Sequence, residues 1–273
     1  MWEDVSKARI YFENRLSVRP EIAIILGTGL GNLAREIEIT EEFAYSGIPG
    51  FKTSTVEGHS GKLLFGTLAG VPVMAMKGRF HYYEGYSMQE VTFPVRLMKQ
   101  LGIKTLIVSN AAGGLNPDFV PGDIMLITDH INLFPENPLR GKNDDRFGAR
   151  FPDMSKAYDR ELIRKAENIA ASHHISLRKG VYVGTQGPTY ETLAEYRFFR
   201  IIGGDTVGMS TVPEVIVANH VGISCFGISV VGNVGLDASL SSVTHEEVQE
   251  NTRTAQQKLN VLVREMVKEI GKA

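Results

Sequence analysis

Six apolar runs of strand length stand at Ile22 to Leu26, Val71 to Met76, Leu106 to Val108, Ile124 to Thr128, Val181 to Val183 and Phe226 to Val231, each stopping near Gly, Asn or Asp. Between several of them lie Ser/Thr-x-x-Glu pairs: Ser87 with Glu90, Thr192 with Glu195, Thr211 with Glu214, and Thr244 with Glu247. In such a box the hydroxyl accepts from a backbone N–H three residues on and the carboxylate reaches back, so donors left open at a helix start are satisfied. Apolar runs without polar alternation read as strands buried on both faces. Buried strands alternating with capped helices predict an α/β fold whose sheet is largely parallel or mixed and covered on both faces. The helices end at Gly102, Gly203 and Gly222, and the last runs amphipathically toward Ile270. Pro94 predicts a bend in the first.

The 273 residues contain no Pro/Ser linker, repeat or low-complexity tract, which predicts a single domain over 1–273. Lys and Arg number 29 against 31 Asp and Glu, a net charge of -2, and this balance points away from nucleic acid as a partner. The lone cysteine, Cys225, excludes an internal disulfide and a Cys-rich zinc site and suits a reducing cytoplasm. Charges from position 3 onward leave no secretory h-region, and the apolar runs are far shorter than the ~20 residues of a membrane-spanning helix, so neither export nor a bilayer is expected. One stretch, Phe134 to Pro152, has no period; long irregular loops are commonly functional or contact something, and Phe147 and Phe151 within it need a place to go.

Chemistry-bearing residues gather after the strands. In IAIILGTGLGNL a strand runs into Gly27, Thr28, Gly29 and Gly31, a turn that can present N–H groups and a hydroxyl to an anion; a tight turn without a ligand is the plain alternative. Asn32 breaks the dinucleotide fingerprint, and no Gly-Lys pair completes a Walker A loop. In KGRFHYYEGY, Arg79, His81 and Tyr83 alternate toward one side, a phosphate clamp with an aromatic cover for a sugar, or else an aromatic surface cluster. SNAAGGLNP offers small residues around Asn110 and Ala111 that let backbone amides approach a ligand. Tyr190 and Glu191 precede a capped helix, where a ring can stack on a base and a carboxylate can accept a ring N–H. Met209 and Ser210 stand before the Thr211 cap, at a helix N-terminus that favours anions, and Asn233 follows the last strand. Turns of this kind can converge on one crevice at the strand ends.

Taken together, LGTGLG, the Gly58-His59-Ser60-Gly61 turn, GRFHYYEGY, NAAGGLN, GDIMLITDHINL, RFGARFPDMS, GPTYETLAEYR, VGMSTVPEV and THEEV resemble the purine nucleoside phosphorylases of the low-molecular-mass, trimeric class over nearly the whole chain. The resemblance implies a mixed, partly barrel-like sheet and cleavage of purine ribonucleosides and deoxyribonucleosides by orthophosphate as co-substrate, with no metal or organic cofactor. It assigns phosphate to Thr28, His59, Arg79, His81, the Ala111 backbone and Ser210. It places the ribose against Tyr83 and Met209, with His245 near the 5'-hydroxyl and Phe151 from a neighbouring subunit of a homotrimer. The purine falls to Tyr190, Glu191, Val207 and Asn233. Many relatives carry Ser for Thr28 and Phe for Tyr190; the hydroxyl and the ring are kept.

Three other readings compete. A methylthioadenosine phosphorylase is expected to carry an acidic residue in place of Asn233 and an apolar one in place of His245. A nucleoside hydrolase uses water on a calcium-carboxylate site, and the chain shows no Asp cluster of that density. A purine-sensing module has no use for the Arg79/His81 clamp. No serine stands in Gly-x-Ser-x-Gly among Ser60, Ser87 and Ser210, which disfavours a serine hydrolase.

Overall fold

A computed structural model describes residues 1–27, 30–53, 61–234 and 245–272. The chain begins with α1 (Trp2–Phe12), β1 (Ile22–Leu26), β2 (Glu38–Ala44), β3 (Lys62–Leu68) and β4 (Val71–Lys77). It continues through α2 (Met88–Val91), α3 (Phe93–Gln100), β5 (Thr105–Gly114), β6 (Ile124–Asn132), α4 (Arg160–Ser172) and β7 (Arg178–Gly184). The last elements are α5 (Leu193–Ile201), β8 (Thr206–Gly208), α6 (Val212–His220), β9 (Ser224–Val234) and α7 (His245–Ile270).

One nine-stranded mixed sheet runs β2-β3-β4-β1-β5-β8-β7-β6-β9, and β9 returns to pair in parallel with β5. That last pairing closes five strands into a barrel, while β1 to β4 extend from it as a wing. β1 lies between β4 and β5, parallel to both, which is why IAIIL is buried at every position. Helices cover the sheet: α7 turns Leu259, Leu262, Val263, Met266 and Val267 inward, the amphipathic face expected of it.

All six expected strands are present, several of them longer than their apolar cores. β2, β3 and β8 carried no such signal. β2, EITEEFA, is a largely exposed edge strand whose charges blunt its free side, and Gly66 interrupts the apolar run of β3. β8 is a three-residue strand held between β5 and β7. The boxes at Ser87 and Thr192 form as expected, each with a reciprocal pair of hydrogen bonds. Gly102, Gly203 and Gly222 follow helix ends with φ of 96°, 102° and 70°. Pro94 does more than bend its helix: α2 and α3 are separate, broken at Thr92. The Thr244 box falls outside the described residues, and the Thr211 box does not form, for a reason given below. The helices α1 and α4 also escaped the pattern; α4 is capped by Asp159, whose carboxylate accepts from the N–H groups of Glu161 and Leu162.

The irregular stretch is real: no helix or strand separates β6 from α4. Phe147 finds its place inside this chain, against Trp2 with ring centroids 5.0 Å apart. Phe151 does not, and is 88% exposed.

Candidate active site

Strand ends deliver the functional side chains to one cavity of about 320 Å³. Its wall contains Arg79, His81, Tyr83, Ala111, Tyr190, Glu191, Val207, Met209, Ser210 and Asn233, ten of the expected site residues. Thr28 and His59 lie outside the described residues. His245 is the first residue of α7, and its side chain is likewise outside what is described. Phe151 does not line this cavity within the single chain.

The anion end is organised around Arg79, which is 2% exposed. Its Nη1 donates to the Ser109 carbonyl at 2.8 Å and to Ser210 Oγ at 3.1 Å, and its Nε lies 3.0 Å from Glu214 Oε1. Glu214 is therefore not the fourth residue of a capping box. A carboxylate buried on α6, a helix buried along almost its whole length, is stable only with a partner, and Arg79 is that partner. Thr211 departs from the box for a related reason: it sits at φ 70°, a conformation rare for a β-branched residue, and its Oγ1 accepts from Asn110 Nδ2 at 2.9 Å. The strained turn at 210–211 thus holds Ser210 beside the guanidinium.

Arg79, His81 and Tyr83 do not alternate along a strand. β4 stops at Lys77, and residues 82–84 form a 3-10 turn. They reach one wall by another route: His81 Nδ1 lies 3.0 Å from Glu84 Oε1, which also accepts the His81 N–H at 2.8 Å, and the ring stacks on Tyr83 at 4.7 Å. The Glu84 carboxylate accepting from Nδ1–H fixes ring orientation and tautomer. Burial, helped by the Glu84 charge, pushes the Tyr83 phenol up to about 12, so it stays a neutral hydroxyl.

SNAAGG is likewise not a turn but the second half of β5, and Asn110 bonds across to Thr211 rather than ordering a loop. The pairing register of β5 and β9 shifts between Ala112 and Gly113, where the strand passes the cavity. Asn233 belongs to β9 and does not follow it. Gly27 also serves differently from expectation: its N–H goes to Ser109 Oγ at 3.1 Å, and a Cβ there would fall 2.1 Å from the Ser109 carbonyl, so glycine is required for packing β1 against β5.

At the other end of the cavity, Tyr190 and Glu191 immediately precede α5, whose cap is Thr192. Burial first, then the charge of Glu195, holds the Glu191 carboxyl above the ordinary range. Asn233, 7% exposed, donates from Nδ2 to the Tyr196 hydroxyl at 3.1 Å. Tyr196, Glu214 and Glu84 are structural partners that sequence reasoning missed. Glu214 was detectable as a charge inside VPEVIV, an otherwise apolar helix; Tyr196 and Glu84 carry no such signal.

A buried guanidinium, a serine hydroxyl and an oriented imidazole at one end, with a carboxylate, an amide and an aromatic ring at the other, suit a ligand that is anionic on one side and heteroaromatic on the other. The chain matches the model of the Phosphorylase superfamily over residues 21–268, and it belongs to that family. It is 53% identical over 267 residues to purine nucleoside phosphorylase 1 of Bacillus subtilis, covering 98% of both chains. The crystal structure of Schistosoma mansoni purine nucleoside phosphorylase in complex with adenosine superposes with a TM-score of 0.92 at 43% identity, covering 97% of this chain and 96% of that one. A schistosome purine nucleoside phosphorylase in complex with hypoxanthine gives 0.93 at 42% identity with the same coverage. Within the superfamily, the enzyme class is that of the purine nucleoside phosphorylases.

Proposed function

We propose that the enzyme cleaves 6-oxopurine ribonucleosides and deoxyribonucleosides, inosine and guanosine among them, with orthophosphate, releasing the base and α-(deoxy)ribose 1-phosphate for purine salvage. The observation that carries this reading is the presence of the Arg79/His81/Ser210 donors and the Glu191/Asn233 pair in one cavity. Phosphate is held by Arg79, His81, Ser210, the Ala111 backbone, Thr28 and His59. The ribose lies against Tyr83 and Met209, with His245 at its 5'-hydroxyl and Phe151 arriving from a neighbour in a cytoplasmic homotrimer. The purine is stacked by Tyr190, lined by Val207, and read by Glu191 and Asn233. Neither a metal nor an organic cofactor takes part.

Cleavage of the C1'–N9 bond sends its electron pair onto the purine and leaves positive charge on the sugar, so both ends of the stretched state need stabilising. The phosphate dianion supports the sugar cation and forms the new C1'–O bond from the face opposite the base. The proton given up by the resulting phosphate ester ends on the departing purine. Donors already aimed at developing charge contribute about 3 kcal/mol each in comparable sites.

Selectivity follows from matching donors to acceptors. Hypoxanthine and guanine present N1–H to the Glu191 carboxylate and O6 to the Asn233 amide, whereas adenine presents a lone pair at N1. Sites built to hydrogen-bond a substrate N–H reject the analogue lacking it by roughly 10⁴-fold. The test is inosine with and without phosphate, with adenosine alongside. Strict phosphate dependence, ribose 1-phosphate as product and very poor turnover of adenosine are expected. Equal base release without phosphate points to a hydrolase, and similar kcat/KM for both nucleosides removes Glu191 and Asn233 as the base-reading pair.

A further inference from the structure

Tyr196 lines no part of the cavity, yet it touches the residue assigned to the base. It is 3% exposed on the inner side of α5, the helix that Tyr190 and Glu191 precede. Its hydroxyl takes an N–H from Asn233 Nδ2 at 3.1 Å. The space for this contact comes from Gly113: a Cβ there would lie 3.1 Å from the phenol oxygen, 3.3 Å from Val207 Cγ1 and 3.6 Å from Asn233 Oδ1. These groups come from α5, β5, β8 and β9, so the meeting is tertiary and not an accident of one loop.

An asparagine amide has two edges of opposite character, Nδ2 donating and Oδ1 accepting, and rotation by half a turn exchanges them. The distinction matters at a purine's imidazole edge. As C1'–N9 breaks, negative charge spreads onto the imidazole ring and N7 takes up a proton; an amide carbonyl accepts that N7–H, while an amide N–H can serve O6. An amide turned the other way presents a donor where the leaving base needs an acceptor. With one N–H held by Tyr196, the amide keeps Oδ1 and its second N–H for the base.

We infer that Tyr196 is a positioning residue, whose hydroxyl, by accepting from Nδ2, holds the Asn233 amide with its carbonyl free to meet N7 of the departing purine. The inference rests on the reading of Asn233 given above. Burial pushes the Tyr196 phenol up, which keeps it a neutral hydroxyl able to accept without adding charge beside Glu191.

Tyr196→Phe removes one oxygen and keeps the ring packed among Leu115, Val183, Phe199 and Val207. On inosine, kcat should fall on the order of tenfold, the size of one well-oriented hydrogen bond, with KM little changed. On 7-methylguanosine, whose N7 is already alkylated and accepts no proton, kcat should be unaffected. In an Asn233→Ala background the Tyr196→Phe change should add nothing on inosine. Equal losses on both nucleosides show a packing role, and a full loss persisting without Asn233 shows a route that bypasses the amide; either overturns the inference, as does unchanged kcat on inosine. Wild-type protein that releases no hypoxanthine from inosine with phosphate overturns the functional reading itself, and this inference with it. Active wild type beside an unimpaired variant overturns this inference alone.

Discussion

The buried pair Arg79–Glu214 permits a test of the anion end that needs no nucleoside. Arg79 is 2% and Glu214 3% exposed, with Nε and Oε1 3.0 Å apart. Glu214→Gln keeps the side-chain shape but removes the charge, leaving a guanidinium buried without its counter-ion. Breaking a buried pair costs about 3–5 kcal/mol, and a replacement of the same shape, which opens no cavity, argues for the lower end, about 3 kcal/mol. With an unfolding entropy of roughly 2.1 cal/mol/K per residue, a chain of 273 residues should lose about 5 °C in Tm. Phosphate bound at the proposed anion end should supply the missing negative charge. At a hundredfold excess over its Kd a ligand contributes about 2.7 kcal/mol, so saturating phosphate should restore most of the loss. Because the guanidinium of the variant has lost its protein counter-ion, calorimetry should give a tighter phosphate Kd than in wild type, and thermal unfolding at one fixed phosphate concentration should give a larger phosphate-induced rise. Glu214→Ala, which also frees the guanidinium to turn, should be destabilised without that gain. If Glu214→Gln loses stability but phosphate stabilises it no more than wild type, Arg79 does not face the phosphate and the assignment of this end fails.

Glu191→Gln should lower kcat/KM for inosine roughly a hundredfold through loss of a charge-assisted hydrogen bond. Because burial raises the folded-state pKa of Glu191, ionisation works against folding and its stabilising contribution is lost as pH rises through that pKa; the variant should match or exceed wild-type Tm at neutral pH, and a lower Tm contradicts the shift. The same shift places loss of inosine recognition on acidification at a higher pH than an ordinary carboxylate, which a kcat/KM profile run to low pH checks. Phe151→Ala should raise KM for inosine while leaving the fold intact, since that ring is 88% exposed in the single chain; sedimentation showing a fully active monomer removes its proposed role at a neighbour's ribose. His245→Ala should impair inosine far more than 5'-deoxyinosine, and equal losses dismiss the 5'-hydroxyl contact.

The α/β class and the six buried strands were legible because burial on both faces leaves a continuous apolar run, as in IAIIL, and helix punctuation was legible because capping is local chemistry within four residues. The motifs around most of the ten assigned residues that meet in one cavity were legible in the sequence, whereas Val207 was reached only through the family resemblance, and Ala111, Val207 and Asn233 lie within strands rather than after them. Tertiary structure decided the rest. β2 pairs at an edge where nothing requires an apolar face, so its charges concealed it. Thr211 and Glu214 fit a capping box as well as Thr192 and Glu195 do, and local sequence cannot distinguish the two pairs. Thr211 and Glu214 are instead claimed by Asn110 from β5 and Arg79 from beyond β4, residues more than a hundred positions away, because a buried cation draws a carboxylate more strongly than a helix start draws its cap. The meeting of Asn233 with Tyr196 has the same origin: it exists only once β9 has closed the barrel onto β5.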